Sequence, residues 1–378
     1  MTKKITVLHV TNNYYPYRSG VARSLDSIHN AVKNLGHSSY LVTLDFKKTE
    51  EDQEGVHRLF CPFKFSYKQK PMAIPLRPFK ELSALIKALK PSIIHVHHPF
   101  FLGKIALDLG KRYKIPVVFT YHTQYEQYVH YIPLPEKVTQ VVVKKLVEDF
   151  CNDVDALIAP SKTIADELST KHNHKTIQVI PSGIDSSFYQ NILKTKVQKT
   201  VRLLTVSRFA PEKNIEFLLR VARLMHNEPI TFHIVGYGPH EQKLFSYAYT
   251  QLGLSTQKVR FIVKPSTQDL VQEYQQADLF LFASTTETQG IVLAEAMAAG
   301  LPVIALDAAG SRDIIKHGSN GFLIKTEQEM VDSIKAFIDD NNLYAACSQE
   351  SLATAQQYTP EIIGKNMLNF YYELLKSR

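Results

Sequence analysis

Short β-rich apolar runs alternate with helix-periodic stretches along this chain, and they do so in two successive series. In the first, strands are expected near Ile5–Val10, Ser39–Leu44, Ile93–Val96, Val117–Thr120, Ala156–Ala159 and Ile177–Ile180, with helices such as Val21–Leu35, Phe79–Leu89 and Leu102–Tyr113 between them. The second follows a polar, Lys-rich stretch, Gln190–Thr200. Its strands are expected at Arg202–Val206, Thr231–Val235, Arg260–Val263, Leu279–Phe282 and Val303–Ala305, with helices at Asn214–His226 and Gln268–Gln276. Alternation of this kind is the signature of doubly wound α/β units built on parallel sheets. The two series share a plan but no residue-level repeat, so they are a duplicated architecture and not a solenoid. The pattern predicts one Rossmann-like domain over 1–190, a second over 191–358 and a terminal helix over 359–378. Ligands would then bind at the carboxyl ends of the strands, in a cleft between the domains. The last helix, about Pro360 to Leu375, carries Ile362, Ile363, Met367, Phe370, Tyr371, Leu374 and Leu375 and needs an apolar partner.

A chain of 378 residues with 44% hydrophobic and 21% charged residues can bury an ample core and does not have the composition of a disordered protein. The apolar run Ile5–Val10 is too short for a signal peptide, and no stretch reaches the length of a transmembrane helix. Cys61, Cys151 and Cys347 are far apart and have no metal-ligand spacing, which fits a reducing cytoplasm. Charge is distributed unevenly. Residues 1–190 hold 25 Lys and Arg against 17 Asp and Glu, whereas residues 191–378 hold 19 against 19. An excess confined to one domain points to an anionic partner. Arginine-rich stripes and nucleic-acid motifs are missing, so a membrane surface ranks ahead of a nucleic acid.

The most informative segment runs from Ser284 to Ile304. Glu295 lies in a helix otherwise apolar on every face, Ile291–Ala299, where an unpartnered carboxylate is expensive. Glu287 sits just before that helix, where backbone N–H groups attract anions. Eight residues of helix rise by about 12 Å, the length of a sugar diphosphate, so one acid could hold a sugar and the other a ribose. A plainer reading has Glu295 bonded to a neighbouring backbone and Glu287 facing the helix dipole. Earlier, Ser207-Arg208-Phe209-Ala210-Pro211-Glu212-Lys213-Asn214 leaves a strand and opens a helix. Its Arg and Lys can serve phosphate oxygens, or can lie on a solvated helix start. Ile234-Val235-Gly236-Tyr237-Gly238-Pro239 is a strand-to-helix turn without the third glycine of a dinucleotide fingerprint.

The Glu-x7-Glu segment, framed by a strand, small residues and Gly300-Leu301-Pro302-Val303, resembles the retaining glycosyltransferases of family 4, which have a GT-B fold: two Rossmann-like domains facing across a cleft, with a C-terminal helix crossing back to the first. The resemblance implies a nucleotide-sugar donor on the second domain. Arg208 and Lys213 match the Arg-x4-Lys diphosphate clamp and would replace a metal ion, so no metal and no other cofactor is expected. Glu287 would hold sugar hydroxyls and Glu295 the ribose. The N–H groups at Gly290, Ile291 and Val292 would support the same ligand, and Gly236 and Gly238 match a turn that borders the nucleotide. Relatives usually carry a glycine in the stretch Phe261-Ile262-Val263-Lys264-Pro265, near the base pocket; this chain does not.

In the first domain, Tyr15-Pro16-Tyr17-Arg18-Ser19-Gly20 connects the first strand to the first helix, and Gly20 would let backbone N–H groups approach a phosphate or acceptor. The segment Tyr121-His122-Thr123-Gln124-Tyr125-Glu126-Gln127-Tyr128 is similar to the 1,2-diacylglycerol 3-glucosyltransferase branch. It would place His122 by the transferred sugar, with Tyr125 and Glu126 on the acceptor side. His95-Val96-His97-His98 offers two histidines on one strand face and one on the other, without an evident third ligand, so no metal is assigned. Lys64, Phe65, Lys68, Lys70, Arg77 and Lys80 interleave cations with aromatics and suit either a membrane surface or a solvated loop. The expectation is a metal-independent, retaining transfer of a hexose, glucose, from a UDP-linked sugar to a membrane lipid such as diacylglycerol, by a cytoplasmic enzyme peripheral to the membrane. Two alternatives stand beside it: the same donor chemistry on a soluble or polysaccharide acceptor, and a GT-B epimerase or non-catalytic nucleotide-sugar-binding protein.

Overall fold

The computed structural model describes residues 4–15, 19–46, 54–67, 70–125, 136–172, 176–189 and 192–377. The chain divides into two compact units, Met1–Gly183 with Pro360–Arg378, and Ile184–Thr359.

Unit 1 begins with β1 (Thr6–Val10), α1 (Gly20–Asn34), β2 (Ser38–Leu44), β3 (Val56–Leu59), β4 (Phe63–Tyr67), β5 (Lys70–Ile74) and α2 (Pro78–Leu89). It continues with β6 (Ile93–Val96), α3 (Leu102–Tyr113), β7 (Val117–Thr120), α4 (Glu136–Asp153), β8 (Ala156–Ala159), α5 (Lys162–Lys171) and β9 (Ile177–Val179). Seven strands form one parallel sheet in the order β3-β2-β1-β6-β7-β8-β9, while β4 and β5 make a separate antiparallel hairpin. Strands β6, β7 and β8 are buried on both faces, which is why each reads as an unbroken apolar run.

Unit 2 holds β10 (Val201–Arg208), α6 (Ile215–Leu224), β11 (Ile230–Tyr237), α7 (Glu241–Phe245), β12 (Val259–Val263), α8 (Thr267–Gln276) and β13 (Leu279–Phe282). After these come α9 (Ile291–Ala298), β14 (Val303–Leu306), α10 (Ala309–Arg312), β15 (Gly321–Ile324), α11 (Glu327–Asp339) and α12 (Asn341–Ala355). Its six parallel strands run β12-β11-β10-β13-β14-β15, the 3-2-1-4-5-6 order of a Rossmann sheet. The last helix, α13 (Pro360–Lys376), returns to unit 1. It buries Ile363, Met367, Phe370, Tyr371 and Leu374 in a cluster with Ile5, Val7, Ile28 and Val32. Gly364 lets it approach α1 closely, since a Cβ there would stand 2.7 Å from that of Ala31. Ile362, expected on the buried stripe, is exposed instead.

Candidate active site

In unit 2 the strand order reverses between β10 and β13, and doubly wound sheets bind ligands beyond the carboxyl ends at such a point. Strand β10 ends on Arg208; a single 3₁₀ turn, Pro211–Lys213, leads through Asn214, in the left-handed conformation, into α6. Strand β13 ends at Phe282, and the loop after it carries Glu287. Two bonds tie these segments together: Lys213 Nζ pairs with Glu287 Oε1, and Ser284 Oγ donates to the Glu212 carbonyl at 3.2 Å. Both partners of the ion pair are largely covered, with side chains 13% and 21% exposed. An ammonium has three N–H donors, so Lys213 can hold Glu287 and a phosphate oxygen together.

The acids are not joined by eight residues of helix. Helix α9 starts at Ile291, four residues after Glu287, because Gly290 turns into the left-handed region at φ +70°. The helical rise expected between them therefore applies only to the second half of the separation. Gly290 is the N-cap, and Ile291 and Val292 occupy the first turn, whose amides lack acceptors within the helix. Glu295 is 1% exposed and accepts a 2.8 Å hydrogen bond from the Tyr274 hydroxyl of α8, so its carboxylate has a side-chain partner. Gly310, after β14, escaped the sequence reading. A Cβ there would stand 2.6 Å from Glu287 Cβ and 2.7 Å from the Glu287 carbonyl oxygen. Its only sequence signal is the small run Ala308-Ala309-Gly310 at the end of a strand.

Among the described residues of unit 2, the buried side-chain polar atoms with no partner are Ser207 Oγ, Glu212 Oε2, His240 Nδ1, Thr286 Oγ1 and Ser311 Oγ. Every one lies at the end of, or just after, β10, β11, β13 or β14. Each such atom costs about 1–3 kcal/mol unless something pairs with it. Their gathering at the carboxyl edge is the arrangement a polar ligand relieves.

Gly236 and Gly238 have internal reasons to be glycine. A Cβ at Gly236 (φ +153°) would overlap the Ser207 carbonyl oxygen, and one at Gly238 would overlap the Phe209 backbone. In the stretch Phe261–Pro265, Lys264 adopts φ +51°; its N–H donates to the Gly236 carbonyl, and its ammonium lies 5.7 Å from the centre of the Tyr237 ring. Its backbone is therefore in the left-handed region that favours glycine.

In unit 1 the order reverses between β1 and β6, and the histidines gather there. His9 and His95 are register partners on these strands. Nitrogens of His9, His95 and His97 all come within 4.8 Å of one another, so the structure supplies, in His9, the third imidazole that the sequence did not make evident. The rings are nevertheless engaged with other partners. His95 Nδ1 is 2.6 Å from the Tyr371 hydroxyl and its Nε2 2.6 Å from Thr120 Oγ1. His97 lies between His9 and His122, at 3.1 and 2.9 Å. His98, on the other face, is 3.0 Å from Thr11 Oγ1.

Burial pushes the pKa of His95 and His122 down to about 3, that of His98 and His29 to about 4, and those of His9 and His97 well below 6.5. The unfolded chain takes up protons near pH 6.5, whereas in the folded chain His95, His122, His98 and His29 take them up only at about 3 to 4 and His9 and His97 well below 6.5. In that window the unfolded state binds more protons, so stability is complete above pH 6.5 and is lost as pH falls. Each group can contribute at most about 1.4 kcal/mol per pH unit there. Urea midpoints should be level from pH 8 to 7 and drop between 6.5 and 5; a midpoint unchanged at pH 5 contradicts this.

Tyr125 packs edge-on against Phe100 at 5.2 Å, and its buried hydroxyl has no partner. Glu126 lies outside the described residues. Ser19 caps α1, accepting from the Ala22 N–H at 3.1 Å, and a Cβ on Gly20 would meet nothing within 4 Å. Internal packing does not demand that glycine.

The segment expected to interleave cations and aromatics forms the β4–β5 hairpin. Phe63 faces Ile74 and Phe65 faces Met72 in register, and all four are exposed, Phe63 at 62%. Helix α4 adds exposed Val138, Val141, Val142 and Leu146. Lys64 is tied to Asp45 at 2.8 Å, while Arg77 and Lys80, at the start of α2, are exposed. Lys68 lies outside the described residues, and Lys70 is described only as the backbone start of β5. No helix among the described residues is long and apolar enough to cross a membrane.

Comparison with known proteins gives this geometry its class. Residues 191–353 match the family model described as glycosyl transferases group 1, and residues 18–188 match the model of glycosyltransferase family 4. The chain is 31% identical to the alpha-monoglucosyldiacylglycerol synthase of Streptococcus pneumoniae, over 97% of this chain and 85% of that one. It is 27% identical to the Acholeplasma laidlawii protein of the same name, over 96% and 95%. Anabaena HepE, solved in complex with UDP-glucose, superimposes with a TM-score of 0.75 at 20% identity, covering 99% of this chain and all of that one. The fold is GT-B, and the protein is a glycosyltransferase. It belongs to glycosyltransferase family 4.

Proposed function

We propose that this enzyme transfers a hexose, glucose, from a UDP-linked sugar to a lipid acceptor such as diacylglycerol, with retention of anomeric configuration and without a metal. The Lys213–Glu287 ion pair, after the strand that ends on Arg208, carries the donor half of the reading. Two cations would take up the charge that develops on the departing diphosphate, in the role a metal ion plays elsewhere. Glu287 would receive sugar hydroxyls, and the first-turn amides of α9 would face the same ligand. For Glu295, a ribose contact would use the carboxylate that Tyr274 orients. Support for the lipid half comes from the names of the two synthases, from the exposed apolar residues of β4–β5 and α4, and from the exposed cations Arg77 and Lys80. Exposed apolar residues and exposed cations in one unit suit a peripheral membrane contact.

The test is nucleoside diphosphate release from a panel of UDP- and GDP-sugars, in chelator, with and without anionic vesicles containing diacylglycerol. Release that requires UDP-glucose and the vesicles, and disappears in Glu287→Ala, supports the reading; release indifferent to lipid moves the acceptor to a soluble sugar or polysaccharide. The variant Phe63→Ser/Phe65→Ser should weaken vesicle binding at least about tenfold, since each aromatic burial is worth about 1.5–3 kcal/mol. Its release rate with diacylglycerol dispersed in neutral detergent should stay unchanged. Unchanged vesicle binding would take the hairpin out of the membrane contact.

A further inference from the structure

Within unit 2, strand β10 is supported unequally on its two sides. On one it is laddered to β11 along its whole length, from Val201 opposite Ile230 to Arg208 opposite Tyr237. On the other it pairs with β13 only where Leu203 faces Leu279 and Leu204 faces Phe280. Past that point β10 runs on to Arg208 with no ladder to β13, and the crevice of the strand-order reversal opens between the two. Lys213 stands on one lip of this crevice and Glu287 on the other. Their ion pair sets no width by itself, because the ammonium is a point charge on a flexible four-carbon stem.

Ser284 supplies what the ladder does not. It is the first polar side chain after β13, it is 1% exposed, and its hydroxyl donates across the crevice to the Glu212 carbonyl at 3.2 Å. That carbonyl belongs to a stiff turn. Pro211 has a fixed φ, the Lys213 N–H donates to the Ala210 carbonyl at 3.1 Å, and the Asn214 N–H to the Pro211 carbonyl at 3.0 Å. One bond at Glu212 therefore places the turn as a body, with the Lys213 Cα one peptide away. The facing lip is stiff as well, since Glu287 packs so closely on Gly310 that an added Cβ there would stand 2.6 Å from the Glu287 Cβ.

We propose that Ser284 is a positioning residue for the donor diphosphate: its hydrogen bond sets the separation of the two loops and so places the Lys213 ammonium for the phosphate oxygens. This rests on the reading above that Lys213 binds the diphosphate. Ser284 acts through Lys213, so its loss should be felt by a nucleoside diphosphate and not by the nucleoside alone. The competing use of the hydroxyl is stability. In that case its removal would lower the melting temperature and weaken every ligand alike, whether or not Lys213 is present.

The test is titration of the full-length protein in chelator, with UDP followed by calorimetry and uridine by saturation-transfer NMR, or with GDP and guanosine if the unaltered protein prefers GDP. Ser284→Ala should raise the Kd of the diphosphate about threefold to tenfold, the scale of one hydrogen bond, and leave that of the nucleoside within about twofold. Lys213→Met should raise the diphosphate Kd about tenfold to a hundredfold, as for a charged donor. In the Lys213→Met background Ser284→Ala should add less than about twofold, because groups that act as one unit are not additive. Ser284→Thr and Ser284→Val add nearly the same volume and differ in the hydroxyl, so the threonine variant should bind the diphosphate more tightly. Equal affinities for that pair would assign the effect to packing and overturn the proposal. So would losses that multiply in full in the double variant, or an unchanged diphosphate Kd in Ser284→Ala beside a weakened Lys213→Met. If Lys213→Met binds the diphosphate as the unaltered protein does, the donor reading itself fails and the positioning role falls with it. Ser284→Ala removes a single oxygen, and its melting temperature, measured alongside, shows that the titrated protein is folded.

Discussion

Lys213→Met should abolish most nucleoside diphosphate release, with kcat/KM for the donor down by about 10²–10³, the loss typical when one donor to a developing oxyanion is removed. It should also lower stability, for a separable reason. Without the ammonium, the mostly covered Glu287 carboxylate loses its counter-charge, and removing one partner of a buried pair leaves an uncompensated charge. Solvent reaches both side chains in part, so the cost should be smaller than for a fully buried pair, about 2 kcal/mol, or about 5 °C in the melting temperature of a unit this size. The double variant Lys213→Met/Glu287→Leu removes both charges and should regain most of that melting temperature while remaining inactive. The two losses thus come apart. An active double variant, or a Lys213→Met enzyme within tenfold of normal turnover, would show the pair to be structural only. Equal melting temperatures for single and double variants would show that the cost of the lone carboxylate has been misjudged.

The parts of this site that were legible in sequence are those that a single strand-and-loop unit contains. Arg208 ends one strand and Lys213 follows it, Glu287 follows another, and the Rossmann order makes those strands neighbours, so the meeting of Lys213 with Glu287 was implied once the order was known. The same order sets β1 beside β6, which is how His9 reaches His95 across 86 residues of chain. Nothing in the run Val7-Leu8-His9-Val10 marks that histidine as more than one polar residue in a buried strand. What the sequence hid were weakly patterned elements at edges. β3, Val-His-Arg-Leu, and β15 close the outer ends of their sheets and are too short to show a period. The β4–β5 hairpin was obscured because its apolar residues face outward, the reverse of the pattern that identifies a strand by its core face. The spacing of Glu287 and Glu295 misled for a local reason, since the left-handed turn at Gly290 starts the helix late.

Gly236→Ala should be the most destabilising single-methyl change in unit 2, and Gly20→Ala among the mildest in unit 1, although both glycines were read as giving a ligand room. Gly236 is opposite Ser207 in the parallel register of β10 and β11, and the added methyl would overlap the Ser207 carbonyl oxygen. The strand ends cannot simply part to admit it. Just beyond, the Phe209 N–H donates to the Tyr237 carbonyl at 2.9 Å and the His240 N–H to the Phe209 carbonyl at 3.0 Å, locking the two loops together. Overpacking together with a left-handed φ imposed on alanine should cost about 4 kcal/mol or more, lowering the melting temperature by about 10 °C. Gly20 differs on each count: it has no atom within 4 Å of the new methyl, and it sits at the first helical position behind a Ser19 cap. There the methyl only restricts the unfolded chain, for a gain of about 0.4–1 kcal/mol. If Gly20 serves an acceptor or phosphate, that more stable variant should nevertheless show a raised KM. Thermal melts and substrate titrations on the two variants separate the roles. A Gly236→Ala protein that melts normally but no longer binds donor would return Gly236 to the ligand, and a Gly20→Ala protein unchanged in KM for both substrates would leave Gly20 as a helix start and nothing more.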